Sequence, residues 1–237
     1  MYRDRARFMA DSDFVPVPVK GLTDKAYAAG LAGQISPVRV LPVDPLDPWK
    51  YEHHDTTHYS IADAKGNMVA VTKTINNFCG ACLMPEGTGF ILNDTMDDFS
   101  PDPANINSIA PGKKPLSSMS PTIILREGKP FAVLGSPGGE RIINTIVQVV
   151  SKLIDHRMSV EEAVNSPRMT ENTADRIVYE GRMDPLEIGK AEAMGHSTEK
   201  VLDYDVKMGG VQAVLYGEDG MICGAADPRR DGETFSV

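Results

Sequence analysis

The segment Asp55-Thr56-Thr57-His58-Tyr59-Ser60 places a hydroxyl residue between two chemically different stretches. Upstream, Pro42 to Asp55 is polar and proline-spaced, with no hydrophobic period. Downstream, Tyr59 to Ala62 and Met68 to Thr74 read as strands around the turn Asp63-Ala64-Lys65-Gly66-Asn67. A threonine at such a junction has one distinctive use. If the peptide bond before Thr56 is cut, the freed α-amino group, with a reference pKa of about 7.7–8.0, can take the proton from the residue's own Oγ. These six residues alone favour a plainer reading, a threonine that opens an edge strand.

A second chemical feature is Gly138-Gly139, directly before a long segment with helical periodicity. Backbone N–H groups laid open by glycine at a helix start point at developing negative charge, which suits an oxyanion hole. Tight-turn glycines are the bland alternative. A phosphate loop needs a lysine and a hydroxyl after its last glycine, and Glu140-Arg141 supplies neither.

The elements that must position these residues form one α/β domain behind a leader. Met1 to about Ala32 reads as short helices with a loop at Pro16 to Pro18. Thr57 to Asn76 is a hairpin, and Phe90 to Asn93 a short strand entering a loop. Thr122 to Leu125 and Pro130 to Leu134 pair around Arg126-Glu127-Gly128-Lys129. Glu140 to His156 is a helix with a wide apolar face of Ile142, Ile143, Ile146, Val147, Val149, Val150, Leu153 and Ile154. Ser159-Val160-Glu161-Glu162 is a capping box opening another helix, and Asp184-Pro185 opens a third. A last hairpin joins Gly210 to Tyr216 with Met221 to Ala225. No internal repeat or low-complexity tract interrupts the chain.

Composition limits the partners. At 237 residues the chain can bury a real core. A formal charge of −9 argues against nucleic acid and anionic membrane. No stretch approaches the roughly 20 apolar residues of a membrane span, and Met1 to Arg5 lacks the apolar segment of a secretory signal. The 3 cysteines imply no disulfide framework. Cys79 and Cys82 form a single CxxC, weak evidence for zinc without a second pair, so no metal or other cofactor is expected.

Several motifs, in order, carry a resemblance: Thr74-Ile75-Asn76; Gly89-Phe90-Ile91-Leu92-Asn93-Asp94-Thr95-Met96-Asp97-Asp98-Phe99; Lys114-Pro115-Leu116-Ser117-Ser118-Met119-Ser120-Pro121-Thr122-Ile123; Gly135-Ser136-Pro137-Gly138-Gly139; and Ala226-Asp227-Pro228-Arg229. From Thr56 to Gly232 the chain resembles the small subunit of the γ-glutamyltransferases (γ-glutamyl transpeptidases). Asp4-Arg5, Asp11 to Val15 and Leu22 to Ala28 more weakly resemble the tail of that family's large subunit. The resemblance implies the αββα sandwich of N-terminal nucleophile hydrolases. That sandwich also draws on a large subunit, most of which has no match here. It divides the chain into residues 1–55, a large-subunit-like tail with a cleavable linker, and residues 56–237, the catalytic domain.

The resemblance also implies roles. Thr56 is the nucleophile, first in an N→O acyl shift that cuts the Asp55–Thr56 bond, then on a γ-glutamyl amide. Thr74 hydrogen-bonds it, although β-propensity alone would explain a threonine there. Gly138 and Gly139 form the oxyanion hole. Asn76 and Asp98 bind the substrate's α-amino acid end, Asp98 as partner of the ammonium; Asp97 fits a capping role better. Thr95 stands where many members carry an acid or amide and brings no charge, which lowers the expected ammonium affinity. Ser117 and Ser118 hold the α-carboxylate. The family's carboxylate-clamping arginine comes from the large subunit and has no counterpart here, since Arg3, Arg5 and Arg7 lie in the wrong segment.

The loop from Phe99 to Ser117 is short and proline-marked, as in the subset of members without a lid, and an open site admits bulkier amides. The expected activity is γ-glutamyl transfer and hydrolysis of glutathione or other γ-glutamyl amides, with water, an amino acid or a peptide as acceptor, after autocatalytic cleavage. The alternatives are a glutaryl or cephalosporin-type acylase, and a non-catalytic fragment that needs a large-subunit polypeptide. The family's setting is periplasmic or extracellular.

Overall fold

The computed structural model describes residues 2–39, 56–172 and 176–236. The proline-spaced run before Thr56, and with it the Asp55 side of the expected cleavage bond, lies outside the described residues.

The upstream segment forms short helices, α1 (Tyr2–Phe8), α2 (Val19–Leu22) and α3 (Lys25–Ala32). Asp24 caps α3 by accepting from the amides of Ala26 and Tyr27, which satisfies donors the first turn leaves open. Neither α2 nor α3 buries a residue. The segment is held instead by polar contacts, among them the Lys114 amide donating to Asp11 Oδ2 at 2.8 Å.

The hairpin is β1 (Thr56–Ala62) and β2 (Met68–Thr74), antiparallel with Thr56 opposite Thr74 and Ala62 opposite Met68. Period-2 alternation turns Thr56, His58 and Ser60 inward and Thr57, Tyr59 and Ile61 outward. Its inner face packs on a four-stranded sheet built from β3 (Thr122–Arg126), β4 (Lys129–Gly135), β8 (Gln212–Tyr216) and β9 (Ile222–Ala226), in that order. On the far side of this sheet lie α4 (Arg141–Ile154) and α5 (Val160–Asn165), the latter opened by the Ser159–Glu162 capping box. The described residues thus stack hairpin, sheet and helices. Leu134, Ile142, Val149, Val164 and Val211 fill the space between sheet and helices with almost no exposure.

The apolar face of α4 is narrower than its sequence suggests. Ile142, Ile146, Val149 and Leu153 are buried, whereas Val147 and Ile154 are exposed. One row of side chains packs into the core, and Val147 and Ile154 on the flanks of that row face solvent. The expected strand at Phe90 to Asn93 is absent. Those residues form a loop whose Leu92 bonds Ala81 and Leu83 instead of a ladder.

A three-stranded sheet, unanticipated from sequence, comprises β5 (Met169–Asn172), β6 (Arg176–Glu180) and β7 (Ser197–Val201), with β6 and β7 parallel across α6 (Pro185–Ala193). An ionic cluster fastens it to the rest. Asp227 accepts from Arg168 at 2.6 Å, from Arg229 Nη1 at 3.0 Å and from the Val211 amide at 2.8 Å. Glu180 takes Arg229 Nε at 2.6 Å and Arg182 at 3.1 Å. Burial works against the charge on Arg168, pulling its pKa down to about 10, while Asp227 supports it. The same desolvation, reinforced by Arg168 and Arg229, lowers Lys152 to about 8.

Candidate active site

Register brings Thr56 and Thr74 face to face, and Thr56 Oγ1 lies 3.1 Å from Thr74 Oγ1. Thr74 Oγ1 also accepts the Asn76 amide at 2.9 Å, so the strand end and the turn after it share one hydroxyl. Asn76 is buried with φ 75°, a left-handed conformation that asparagine tolerates better than most residues. That conformation turns the chain toward the acidic segment. There the amide of Asn77 donates to Asp94 Oδ1 at 3.0 Å, its side chain to Asp94 Oδ2 at 2.7 Å, and the Asp94 amide to Ile75 O at 3.2 Å.

Asp94 leads into the 3₁₀ turn Thr95–Asp98. The Thr95 amide is taken by Asn93 Oδ1 at 3.1 Å, and Asp97 accepts from the Asn77 side chain at 3.2 Å. Asn107, buried, links this turn to the serine loop: its side-chain nitrogen donates to Asp98 O at 2.7 Å while its oxygen accepts the Leu116 amide at 3.0 Å. Lys113 folds the intervening loop by donating to the carbonyls of Ile106 and Ser108. Asp98 and Ser117 are therefore held at a set spacing by one amide.

Ser117 is exposed, with its Oγ accepting the Met119 amide at 3.2 Å. Ser118 is half-buried and meets an unexpected partner. Arg5 Nη2 donates to Ser118 Oγ at 2.9 Å, and Arg5 Nη1 pairs with Glu140 Oε1 at 2.5 Å. Arg5, which lies in the wrong segment to match the family's clamping arginine, reaches the serine pair all the same. Folding carries α1 across the molecule, and sequence separation gives no warning of that.

Gly138 and Gly139 have φ 135° and 57°, and a Cβ on Gly138 would come within 3.2 Å of Gly209 Cα. Buried Ser136 fixes the approach to this turn, donating to Pro137 O at 2.6 Å and accepting the Gly210 amide at 2.9 Å. The turn opens directly onto α4, whose first two amides, those of Arg141 and Ile142, donate back to Gly138 O at 3.1 Å and Gly139 O at 3.2 Å and so tighten the turn. The arrangement can present N–H groups to an anion.

His58 joins the two halves. Its ring packs on Gly135, where a Cβ would fall 2.1 Å from the imidazole Cε1. Ser60 Oγ donates to Gln212 O at 2.9 Å, which uses its only proton. His58 Nε2, 3.0 Å from Ser60 Oγ, is therefore the donor, and Nδ1 accepts from Thr72 Oγ1 at 2.8 Å. Burial lowers the imidazole pKa to about 4, so it is neutral at physiological pH. His58, Asn77, Asp94 and Asn107 were not singled out from sequence, and Arg5 was set aside there. Among the described residues no group of three or more His, Cys, Asp or Glu side chains is placed to hold a metal ion, and no helix is long and apolar enough to cross a membrane.

A family model described as gamma-glutamyltranspeptidase matches residues 1–237. The glutathione hydrolase proenzyme of Escherichia coli (strain K12) is 41% identical over 242 residues, covering 96% of this chain and 41% of the relative. The Acylase ACY 1 proenzyme of Pseudomonas sp. (strain SE83) is 39% identical, covering 100% and 41%. Among solved structures, a variant of Helicobacter pylori γ-glutamyltranspeptidase superposes with TM-score 0.67 at 42% identity, over 73% of this chain and 100% of that one. The cephalosporin acylase of Bacillus halodurans shares the fold, with TM-score 0.85 at 24% identity over 98% of this chain and 42% of its own. The chain belongs to the γ-glutamyltranspeptidase family and has the α/β fold of the N-terminal nucleophile hydrolases. It spans about two-fifths of the length of these curated relatives.

Proposed function

We propose that this chain carries the small-subunit half of a glutathione hydrolase and γ-glutamyltransferase, dividing at the Asp55–Thr56 bond into residues 1–55 and 56–237. Thr56 Oγ attacks the preceding carbonyl, the C–N bond breaks to leave an ester and a free amine, water hydrolyses the ester to release the Asp55 carboxylate, and the amine then serves as general base toward the freed Oγ. The γ-carbonyl of glutathione or another γ-glutamyl amide acylates Thr56, and water, an amino acid or a peptide resolves the ester. Thr74 orients the nucleophile, Gly138 and Gly139 receive the oxyanion, Asn76, Thr95 and Asp98 take the ammonium end, and Ser117 and Ser118 take the α-carboxylate. The observation that carries this reading is the 3.1 Å contact between Thr56 Oγ1 and Thr74 Oγ1 at the head of the hairpin.

A large-subunit polypeptide completes the site in this reading. The outer face of the hairpin supports it: Tyr59 lies opposite Val71 and Ile61 opposite Val69, and Tyr59, Ile61 and Val69 are exposed. Paired apolar residues on an uncovered sheet face suit a further layer. Intact mass spectrometry of the purified protein, followed by release of nitroaniline from γ-glutamyl-p-nitroanilide with and without added large subunit, tests the proposal. Cleavage before Thr56 and turnover that rises with the large subunit are expected. A single uncut chain and no turnover even in its presence would reject the reading.

A second reading is an acylase of glutaryl-type amides. It is favoured by the uncharged Thr95 in the acidic turn and by the 39% identity with Acylase ACY 1. Faster release from glutaryl-p-nitroanilide than from γ-glutamyl-p-nitroanilide would select it.

A further inference from the structure

We infer that Arg5 is a specificity-determining positioning residue: its guanidinium sets the distance between the two ends of the acyl group that the site accepts. The inference rests on the proposed function. One edge of the planar fork meets Ser118 Oγ at 2.9 Å, and the other meets Glu140 Oε1 at 2.5 Å. Ser118 belongs to the pair that takes the α-carboxylate. Glu140 directly follows Gly139 and stands immediately before the first residue of α4, so its backbone moves with the glycine turn that faces the reacting carbonyl in the proposed function. A γ-glutamyl group must reach from one to the other. The guanidinium adds no hinge of its own, because its five donors are fixed in one plane, and the Ser118 and Glu140 side chains connect it to the two backbones.

The contact also decides what Ser118 can offer. A hydroxyl carries one proton and accepts at two positions. When Arg5 donates to Ser118 Oγ, the serine proton is left to donate elsewhere, and a neighbouring cation strengthens it as a donor. Glu140 offsets the charge of Arg5, so the arginine contributes direction and spacing more than net potential. The Arg5 side chain is 14% exposed, and α1 is further held through Asp11, which accepts the Lys114 amide three positions before Ser117. The upstream segment therefore shapes the site it precedes.

The test compares p-nitroanilides of γ-glutamyl, β-aspartyl (one methylene shorter) and δ-aminoadipyl (one longer) groups. They are measured on the mature protein, with large subunit supplied where turnover needs it. The wild type should prefer γ-glutamyl by about 10-fold or more in kcat/KM, the scale at which enzymes resolve one methylene. Arg5→Ala should compress that preference to within about threefold, chiefly through KM for the γ-glutamyl substrate. Arg5→Lys keeps a cation and guards against loss of folding, but lacks the two-edged fork and should also lose selectivity. A fall in kcat/KM by the same factor for all substrates in both variants overturns the inference and makes Arg5 a structural tie. A wild type that turns over these substrates without length preference overturns it too. A wild type with no γ-glutamyl turnover under any condition instead sinks the proposed function itself.

Discussion

Thr56 and Thr74 stand opposite each other across the hairpin with their hydroxyl oxygens 3.1 Å apart. The pairing is fixed because a one-residue slip of register would turn every inward side chain of β1 out to the other face. His58, in the same inward row, sits against Gly135 and prevents such a slip. The amide of Asn76 holds the Thr74 oxygen from its other side, so Thr56 meets an oriented partner.

Replacing Thr74 by valine keeps the β-branched shape and removes the hydroxyl. A neutral hydrogen bond contributes about 0.5–1.5 kcal/mol, so cleavage before Thr56 and subsequent turnover should slow by roughly 2- to 13-fold. Thr74→Ser should stay near the wild type, and Thr56→Ala should not cleave at all. Time-resolved intact mass measures each. Equal cleavage rates for the valine and wild-type proteins would remove Thr74 from the chemistry.

Asp98→Ala should separate two substrate classes. γ-Glutamyl amides carry an α-ammonium that glutaryl amides lack. A charge-assisted bond is worth about 1.5–3 kcal/mol, giving a selective loss of roughly 10- to 150-fold in kcat/KM for the γ-glutamyl substrate. Parallel assays with the two anilides provide the ratio. An equal loss for both would give the Asp98 side chain a structural role.

His58 predicts an acid-sensitive fold. Its ordinary pKa of 6.5 falls to about 4 in the folded protein because burial disfavours the imidazolium. Between those values the unfolded chain binds more protons than the folded one, so stability rises with pH across the window. The contribution is whole above pH 6.5 and is lost progressively as pH falls toward 4, about 3 kcal/mol in all. Urea midpoints measured through that range should decline in the wild type and decline less in His58→Gln. Identical slopes would place the acid sensitivity elsewhere.

Asp227 is the acceptor for two buried arginines and a buried amide. Asp227→Ala leaves Arg168 and Arg229 without that charge in a place water does not reach. Removing one partner of a buried ionic group costs about 3–5 kcal/mol, which should appear as a large drop in the urea midpoint. A drop below about 1 kcal/mol would show that Glu180 alone can neutralise the cluster.

Local signals in the sequence determined the hairpin, the capped helices and the motif residues. The turn Asp63 to Asn67 between two strand-like runs, the Ser159–Glu162 box and the Asp184-Pro185 start are governed by backbone neighbours within a few positions, and the hairpin and both helices formed there. Tertiary structure alone decided the rest. The strands Met169–Asn172, Arg176–Glu180 and Ser197–Val201 depend on a parallel pairing across a helix and on a buried ionic cluster, neither of which has a short-range pattern. The segment at Phe90 to Asn93 has strand-forming residues but finds its hydrogen bonds in a neighbouring loop. Arg5 could be read only as an upstream arginine, because its contact with Ser118 spans 113 positions and arises from how α1 docks. Local conformational preference is written residue by residue, whereas a long-range contact is fixed by the packing of everything between its partners.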